Sequence, residues 1–157
     1  MSVTAWRIVK QKNPPRKAFD GEGARLYGGR WNSAGTPMVY TAQSQSLAVL
    51  EMLVHLDTPD LLEKYVLFGV TMEEGLILVL AETDLPRDWK SDPPPARLRA
   101  IGDAWATSLA SVALRVPSSV IPAEFNYLLN PKHKDFGKIE IGKLLPFQYD
   151  ARLAGRK

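Results

Sequence analysis

Between Gly21 and Glu51 the chain reads GEGARLYGGRWNSAGTPMVYTAQSQSLAVLE, and few other residues in it could do chemistry. Two adjacent glycines, Gly28 and Gly29, let backbone amides approach a ligand closely. Arg30 follows them, and a guanidinium is the planar fork that matches phosphate oxygens in pairs. Trp31 and, further on, Tyr40 offer aromatic faces on which a base or a nicotinamide ring can pack. Glu51 is the lone carboxylate of an apolar stretch (Leu47, Ala48, Leu50, Leu53), where it could stabilise an oxocarbenium-like centre or bind sugar hydroxyls. Together these are parts with which to hold a dinucleotide and attack its sugar. The spacing is neither GxGxxG nor a P-loop.

Each residue also has a plainer reading, and singly the plainer one leads. GGR can be a tight turn whose Trp31 fills the core and whose Arg30 is solvated. Glu51 can be a boundary glutamate paired with a lysine, Arg7 the solvent-facing member of an alternating strand, and Tyr40 a core residue. Val116-Pro117-Ser118-Ser119, with Asn126 after it, can present Ser118 and Asn126 into a pocket or be an ordinary strand exit. Ser-His-Asp hydrolysis has little support, with no GxSxG elbow and only His55 and His133 as bases.

The elements that must position these residues can be read from periodicity. Val3 to Val9 alternates as a first strand, with Arg7 on the opposite face from Trp6 and Ile8. Asn13 to Gly23 is a loop, and Met38 to Thr41 a second, short strand. Ser44 is an N-cap for a helix from about Gln45 to Leu56, on which Leu47, Leu50 and Val54 share the apolar face and Glu51 sits at its edge. Lys64 to Thr71 and Leu76 to Leu80 are apolar strands, and Leu85 to Pro95 is a proline-rich connector. Ala96 to Leu109 is an amphipathic helix with Leu98, Ile101 and Trp105 on one side. Ser111 to Val116, a short element at Glu124 to Leu129, and Lys138 to Ile141 complete the chain. Roughly six strands and two main helices, segregated rather than alternating, predict an α+β fold.

The 157 residues suit a single domain over 1–157, with its core at about 4–145 and a short basic tail at 150–157. At 45% hydrophobic and 24% charged, the composition is that of a globular protein. A net charge of +3 suits an anionic small molecule or an acidic partner and is too weak to argue for nucleic acid. The absence of cysteine excludes disulfides and thiol chemistry, and two histidines make a histidine-rich metal site a poor fit. No signal-peptide core or membrane-length apolar run stands out, so the expectation is a cytoplasmic protein, with no membrane contact.

The order of the blocks is more specific than any one of them. Arg7 in a first strand, GGRWN-x(2)-G-x(4)-Y from Gly28 to Tyr40, Ala48-x(2)-Glu51 and VPS-x(3)-P-x(3)-N-x(3)-NP-x-H from Val116 to His133 together resemble the RES-domain toxins of type II (ParT/ParS-like) toxin–antitoxin systems. The match spans Trp6 to about Ile141; it departs from the usual pattern at Lys134, where the family commonly has proline. The resemblance implies a fold similar to ADP-ribosyltransferases, with NAD⁺ as substrate and no cofactor or metal. It implies functional positions at Arg7, Arg30, Tyr40, Glu51, Ser118 and Asn126. It also implies an Xre/ParS-like helix-turn-helix antitoxin that carries any DNA contact and blocks the active site.

On this reading Glu51, Arg30, Tyr40 and Ser118 are catalytic, while Arg7, Arg30, Trp31 and Asn126 hold NAD⁺. The nicotinamide–ribose bond breaks, and the acceptor is water (a glycohydrolase), phosphate (a phosphorylase) or a protein side chain (an ADP-ribosyltransferase). The expectation is NAD⁺ depletion. ADP-ribosylation of a metabolic enzyme is the alternative, and a non-catalytic nucleotide-binding module a second one.

Overall fold

Alternation over the first ten residues does build a strand, and that strand organises the sheet. In the computed structural model, which describes residues 1–56 and 63–153, β1 (Ser2–Lys10) pairs antiparallel with β3 (Tyr65–Glu73) from Ser2↔Glu73 to Lys10↔Tyr65. Its other neighbour, β2 (Val39–Ala42), meets it in register only at Trp6↔Ala42. β2 in turn pairs antiparallel with β6 (Phe125–Leu129), and β6 with β5 (Ala113–Pro117). β4 (Ile77–Val79) lies parallel to β5, while β7 (Glu140–Ile141) and β8 (Leu145–Phe147) both pair with β3. The order is β4-β5-β6-β2-β1-β3-β7, with β8 also on β3. Two well-laddered halves therefore meet at the β1–β2 junction through a single pair, and the sheet opens there.

Two faces are covered differently. On one, Ala5, Val39, Val70, Tyr127 and Leu129 pack with Ala18 and Phe19 from a 3-10 turn at Pro15–Phe19. On the other lie α2 (Gln45–Leu53), packed through Leu47 and Ala48 on Ile8, Ala42 and Leu67, and α3 (Ala96–Ser108), packed on Leu114, Val116 and Leu128. Ser44 caps α2 as its side-chain oxygen accepts from the Leu47 amide at 3.1 Å. In α3 the buried positions are Leu98, Gly102, Trp105 and Ala106, the i, i+4, i+7, i+8 stripe of an amphipathic helix.

The architecture is α+β, a curled mixed sheet flanked by helices, as the segregated pattern predicts. Eight strands stand where about six were anticipated: β8 is additional, and the short element after Glu124 is a full strand. The loop expected from Asn13 to Gly23 contains the 3-10 turn and the start of α1 (Glu22–Tyr27). α2 is shorter than Gln45 to Leu56, and its assigned apolar face is wrong in part. Leu50 is 40% exposed and Val54 61%, because the side of α2 turned inward carries Leu47, Ala48 and Glu51 instead. The last four residues of the expected basic tail lie outside the described residues. No helix among the described residues is long and apolar enough to cross a membrane.

Candidate active site

Where β1 and β2 part, Arg7 takes up a β2 carbonyl and ties it to the 3-10 turn. Its Nε donates to the Ala18 carbonyl at 2.7 Å and its Nη1 to the Tyr40 carbonyl at 2.9 Å. Arg7 is thus no solvated edge charge, though its strand position reads as one. Burial pulls its pKa down to about 10, with Asp20 opposing the shift, so the guanidinium stays charged at neutral pH.

Above this junction is a cleft of about 480 Å³ lined by Arg7, Arg30, Tyr40, Glu51 and Asn126, among others. The face of α2 that borders it is Ala48, Glu51 and Met52, at i, i+3 and i+4, and His55 in the turn just past the helix continues that line. Both carboxylate oxygens of Glu51 are held. The Ser118 hydroxyl donates to Oε2 at 2.9 Å and the Asn126 amide to Oε1 at 2.7 Å. Ser118 is itself buried, its oxygen accepting from the Val120 and Ile121 amides at 3.2 Å each, and Asn126 also donates to the Thr41 carbonyl. Burial raises the Glu51 pKa above the ordinary 4.5; the bonds from Asn126 and Ser118 counter it, and Glu124 adds to it. Desolvation outweighs two hydrogen bonds, so this carboxylate is strained when ionised, a state that a nearby cation would relieve.

The Gly28–Asn32 loop is a tight turn, closed by the Gly29 amide on the Asn32 carbonyl at 2.9 Å. Gly28 has φ +73°, a conformation that suits glycine. Asn32, fully buried, is the hub: its amide donates to the carbonyls of Ala24 and Thr36, and its oxygen accepts the Tyr40 hydroxyl at 2.6 Å. Tyr40 in turn accepts from the Trp31 amide at 3.1 Å. Burial holds its hydroxyl protonated, with a pKa far above the ordinary 10. From α3, Asp103 accepts the Ser33 amide at 2.9 Å and Gly102 lies under the Trp31 carbonyl. Arg30 is fastened through Nη1 to the Trp89 and Ser91 carbonyls at 3.1 and 2.9 Å, within the proline-rich connector.

Arg7, Arg30, Tyr40, Glu51 and Asn126 therefore converge on one cleft, with Ser118 directly behind Glu51. Trp31 borders it too, but its side chain is 2% exposed and packs with Leu98 and Trp105, which is the core-filling alternative. The motif gives Asn32 no role of its own, and the sequence offers His55 only as a base or a metal ligand; its place four residues after Glu51, just past α2, puts it on the cleft. The NP-x-H block is scaffold. Asn130 donates to the Ala106 carbonyl at 3.0 Å, and His133 accepts the Asp135 amide on Nδ1, so Nε2 donates to the Leu109 carbonyl. Among the described residues no cluster of three or more His, Asp or Glu could hold a metal ion.

Chemically, the cleft offers two guanidinium groups, an immobilised carboxylate and an aromatic wall, a set suited to an anionic substrate on which positive charge develops. A profile of the RES domain matches residues 4–150. The chain is 44% identical over 149 residues to a protein of Yersinia enterocolitica named Toxin Res, covering 94% of this chain and 97% of that one. It is 35% identical over 157 residues to a Sphingobium protein named Prs ADP-ribosylating toxin, covering 98% of each. Its fold matches a chain of the M. tuberculosis MbcT–MbcA toxin–antitoxin complex with a TM-score of 0.77 at 20% identity, over 94% of this chain and 85% of that one. The residues that line the cleft, from Arg7 to Asn126, lie within the matched span. The chain belongs to the RES domain family.

Proposed function

We propose that this chain is a RES-domain toxin that cleaves the nicotinamide–ribose bond of NAD⁺ and arrests growth by depleting it. The observation that carries the reading is Glu51, its two oxygens fixed by Ser118 and Asn126 at the wall of a cleft that also holds Arg7 and Arg30. A pyridinium is already a good leaving group, so no strong acid is needed. Arg7 and Arg30 take the diphosphate and ribose oxygens, and Tyr40 walls the nicotinamide end. As the C–N bond lengthens, its electron pair leaves with neutral nicotinamide and positive charge grows on the ribose. The ionised Glu51 stabilises that charge and binds the ribose hydroxyls. Ser118 and Asn126 act through Glu51, holding it in place. Water as acceptor gives ADP-ribose and a proton, and phosphate gives ADP-ribose phosphate.

The second reading, transfer of ADP-ribose to a metabolic enzyme, is favoured by the name of the Sphingobium relative, an ADP-ribosylating toxin. A non-catalytic nucleotide-binding module would use the same cleft without turnover. An Xre/ParS-like antitoxin is the proposed partner: it would set carboxylates against Arg7 and Arg30 where the diphosphate lies, and so close the cleft. DNA contacts then belong to the antitoxin, and the complex is cytoplasmic. The experiment is incubation of the pure protein with NAD⁺, with and without phosphate, followed by separation of the products. Free nicotinamide with ADP-ribose or its phosphate supports depletion. Nicotinamide released only when a protein acceptor is added supports ADP-ribosylation, and none under any condition leaves the binding module.

A further inference from the structure

Beside the Glu51 cleft, and sharing Tyr27, Gly28, Gly29, Arg30 and His55 with it, lies a second cleft of about 620 Å³. Its far wall comes from residues that take no part in the chemistry proposed above: Asp92 in the proline-rich connector and Arg99 in the first turn of α3. Arg99 is fastened as Arg30 is. Its Nη1 donates to the Pro94 carbonyl at 2.7 Å, and no bond from its Nη2 to a described residue is present. The same connector thus aligns two guanidinium groups on one cleft while leaving donors of each for a ligand. Tyr27, on the ridge shared by the two clefts, is 86% exposed, an unusual position for a large ring with no packing duty.

We infer that this second cleft binds the adenosine diphosphate half of the substrate, with Arg99 and Arg30 on the diphosphate, Tyr27 stacked on the base and Asp92 accepting from the ribose diol. The inference rests on the NAD⁺ reading for the identity of the ligand. The chemistry of the wall argues for it independently. Paired guanidinium groups select a diphosphate over a neutral sugar, an exposed ring has a face to give to a base, and a carboxylate is the usual partner of an adjacent pair of ribose hydroxyls. The two clefts together then measure a dinucleotide: one end is cut beside Glu51, the other is recognised beside Arg99. The chain should accordingly prefer NAD⁺ to nicotinamide mononucleotide, which lacks the adenosine half.

The test is calorimetric titration with ADP and with pyrophosphate, neither of which carries a nicotinamide–ribose bond, so its outcome is independent of turnover. ADP should bind the wild-type protein in a one-to-one complex, and Arg99→Ala should weaken both probes about tenfold, the usual scale for one lost guanidinium–phosphate pair. Tyr27→Ala removes a ring with no packing role; it should weaken ADP and leave pyrophosphate unchanged. Circular dichroism of both variants checks the fold, and the Tyr27 variant decides the matter if the Arg99 variant does not fold. Absence of ADP binding to the wild-type protein, or equal ADP affinity in all three proteins, would overturn the inference. Failure of NAD⁺ cleavage with ADP binding intact would instead sink the proposed reaction and leave the subsite standing.

Discussion

Glu51 concentrates the tension between folding and function. Its folded pKa is raised by burial, so the folded chain holds the proton more tightly than the unfolded one. The contribution of Glu51 to stability is therefore greatest below the unfolded value of 4.5, falls as pH rises through the window up to the folded pKa, and stays reduced above it. Glu51→Gln, which removes the buried charge and keeps an acceptor for Asn126 while giving up the bond from Ser118, should melt at least as high as the wild type at neutral pH. Its advantage should shrink as pH drops toward that value; thermal melts across pH check this, and a Gln variant markedly less stable at neutral pH would contradict it. Because the ionised form is the one that stabilises a cation, kcat for NAD⁺ cleavage should rise with pH through an acid limb above 4.5, and this limb should vanish in the Gln variant. Gly29 tests the loop. A Cβ there would stand 2.6 Å from the Tyr40 hydroxyl and 2.9 Å from the Asn32 side-chain oxygen, so Gly29→Ala must displace the Tyr40–Asn32 pair. Turnover should fall about tenfold or more, the scale of a misplaced reacting group, and unchanged kinetics would show that this bond does not position the site.

Among the elements, α3 is the one that sets the loop. A Cβ on Gly102 would lie 1.7 Å from the Trp31 carbonyl oxygen, so Gly102→Ala must push the helix off the loop. We expect a loss of roughly 3 kcal/mol, at the upper end for overpacking, or about 6–12 °C in Tm for a chain of this size. A melt within a degree or two of wild type would mean that α3 does not hold the Gly28–Asn32 turn. Much of this scale was legible. β1, β3 and α3 are long, periodic and uninterrupted, and Ser44 is a cap with a mechanism. What escaped has physical causes. β8 is only Leu145-Pro146-Phe147, too short and too proline-bearing to read as a strand. α2 shows apolar residues nearly all round, so spacing alone could not tell that Leu50 and Val54 face outward while Ala48 and Glu51 face the cleft. Arg7 alternates like a surface charge, and only the opening of the sheet at Trp6↔Ala42 and the 3-10 turn beside it give it carbonyls to serve.

For the whole molecule, the order of the blocks carried more than any single residue. It is what brought Arg7, Arg30, Tyr40, Glu51 and Asn126 forward together, and these residues, 119 positions apart at the extremes in a chain of 157, meet on one cleft. The far cleft with Arg99 and Asp92 was not legible, since nothing in a proline-rich connector announces that its carbonyls align arginines from two other elements. In the cell, the proposed function predicts that expression without the partner stops bacterial growth and lowers the NAD⁺ pool, and that Glu51→Ala relieves both; growth arrest with an unchanged pool would favour ADP-ribosylation. Purified together with its antitoxin, the chain should lose its activity on NAD⁺, and a complex as active as the free protein would mean that the partner does not cover the cleft. The central claim is that Glu51 and Arg30 break the nicotinamide–ribose bond, and it is tested most directly by nicotinamide release from NAD⁺ by the wild-type, Glu51→Ala and Arg30→Ala proteins, each checked by circular dichroism. The account predicts release by the wild type and a loss of at least about a hundredfold in each folded variant, the usual effect of removing one preorganised charge contact. Wild-type turnover in either variant, or no release by the wild type at all, would contradict it.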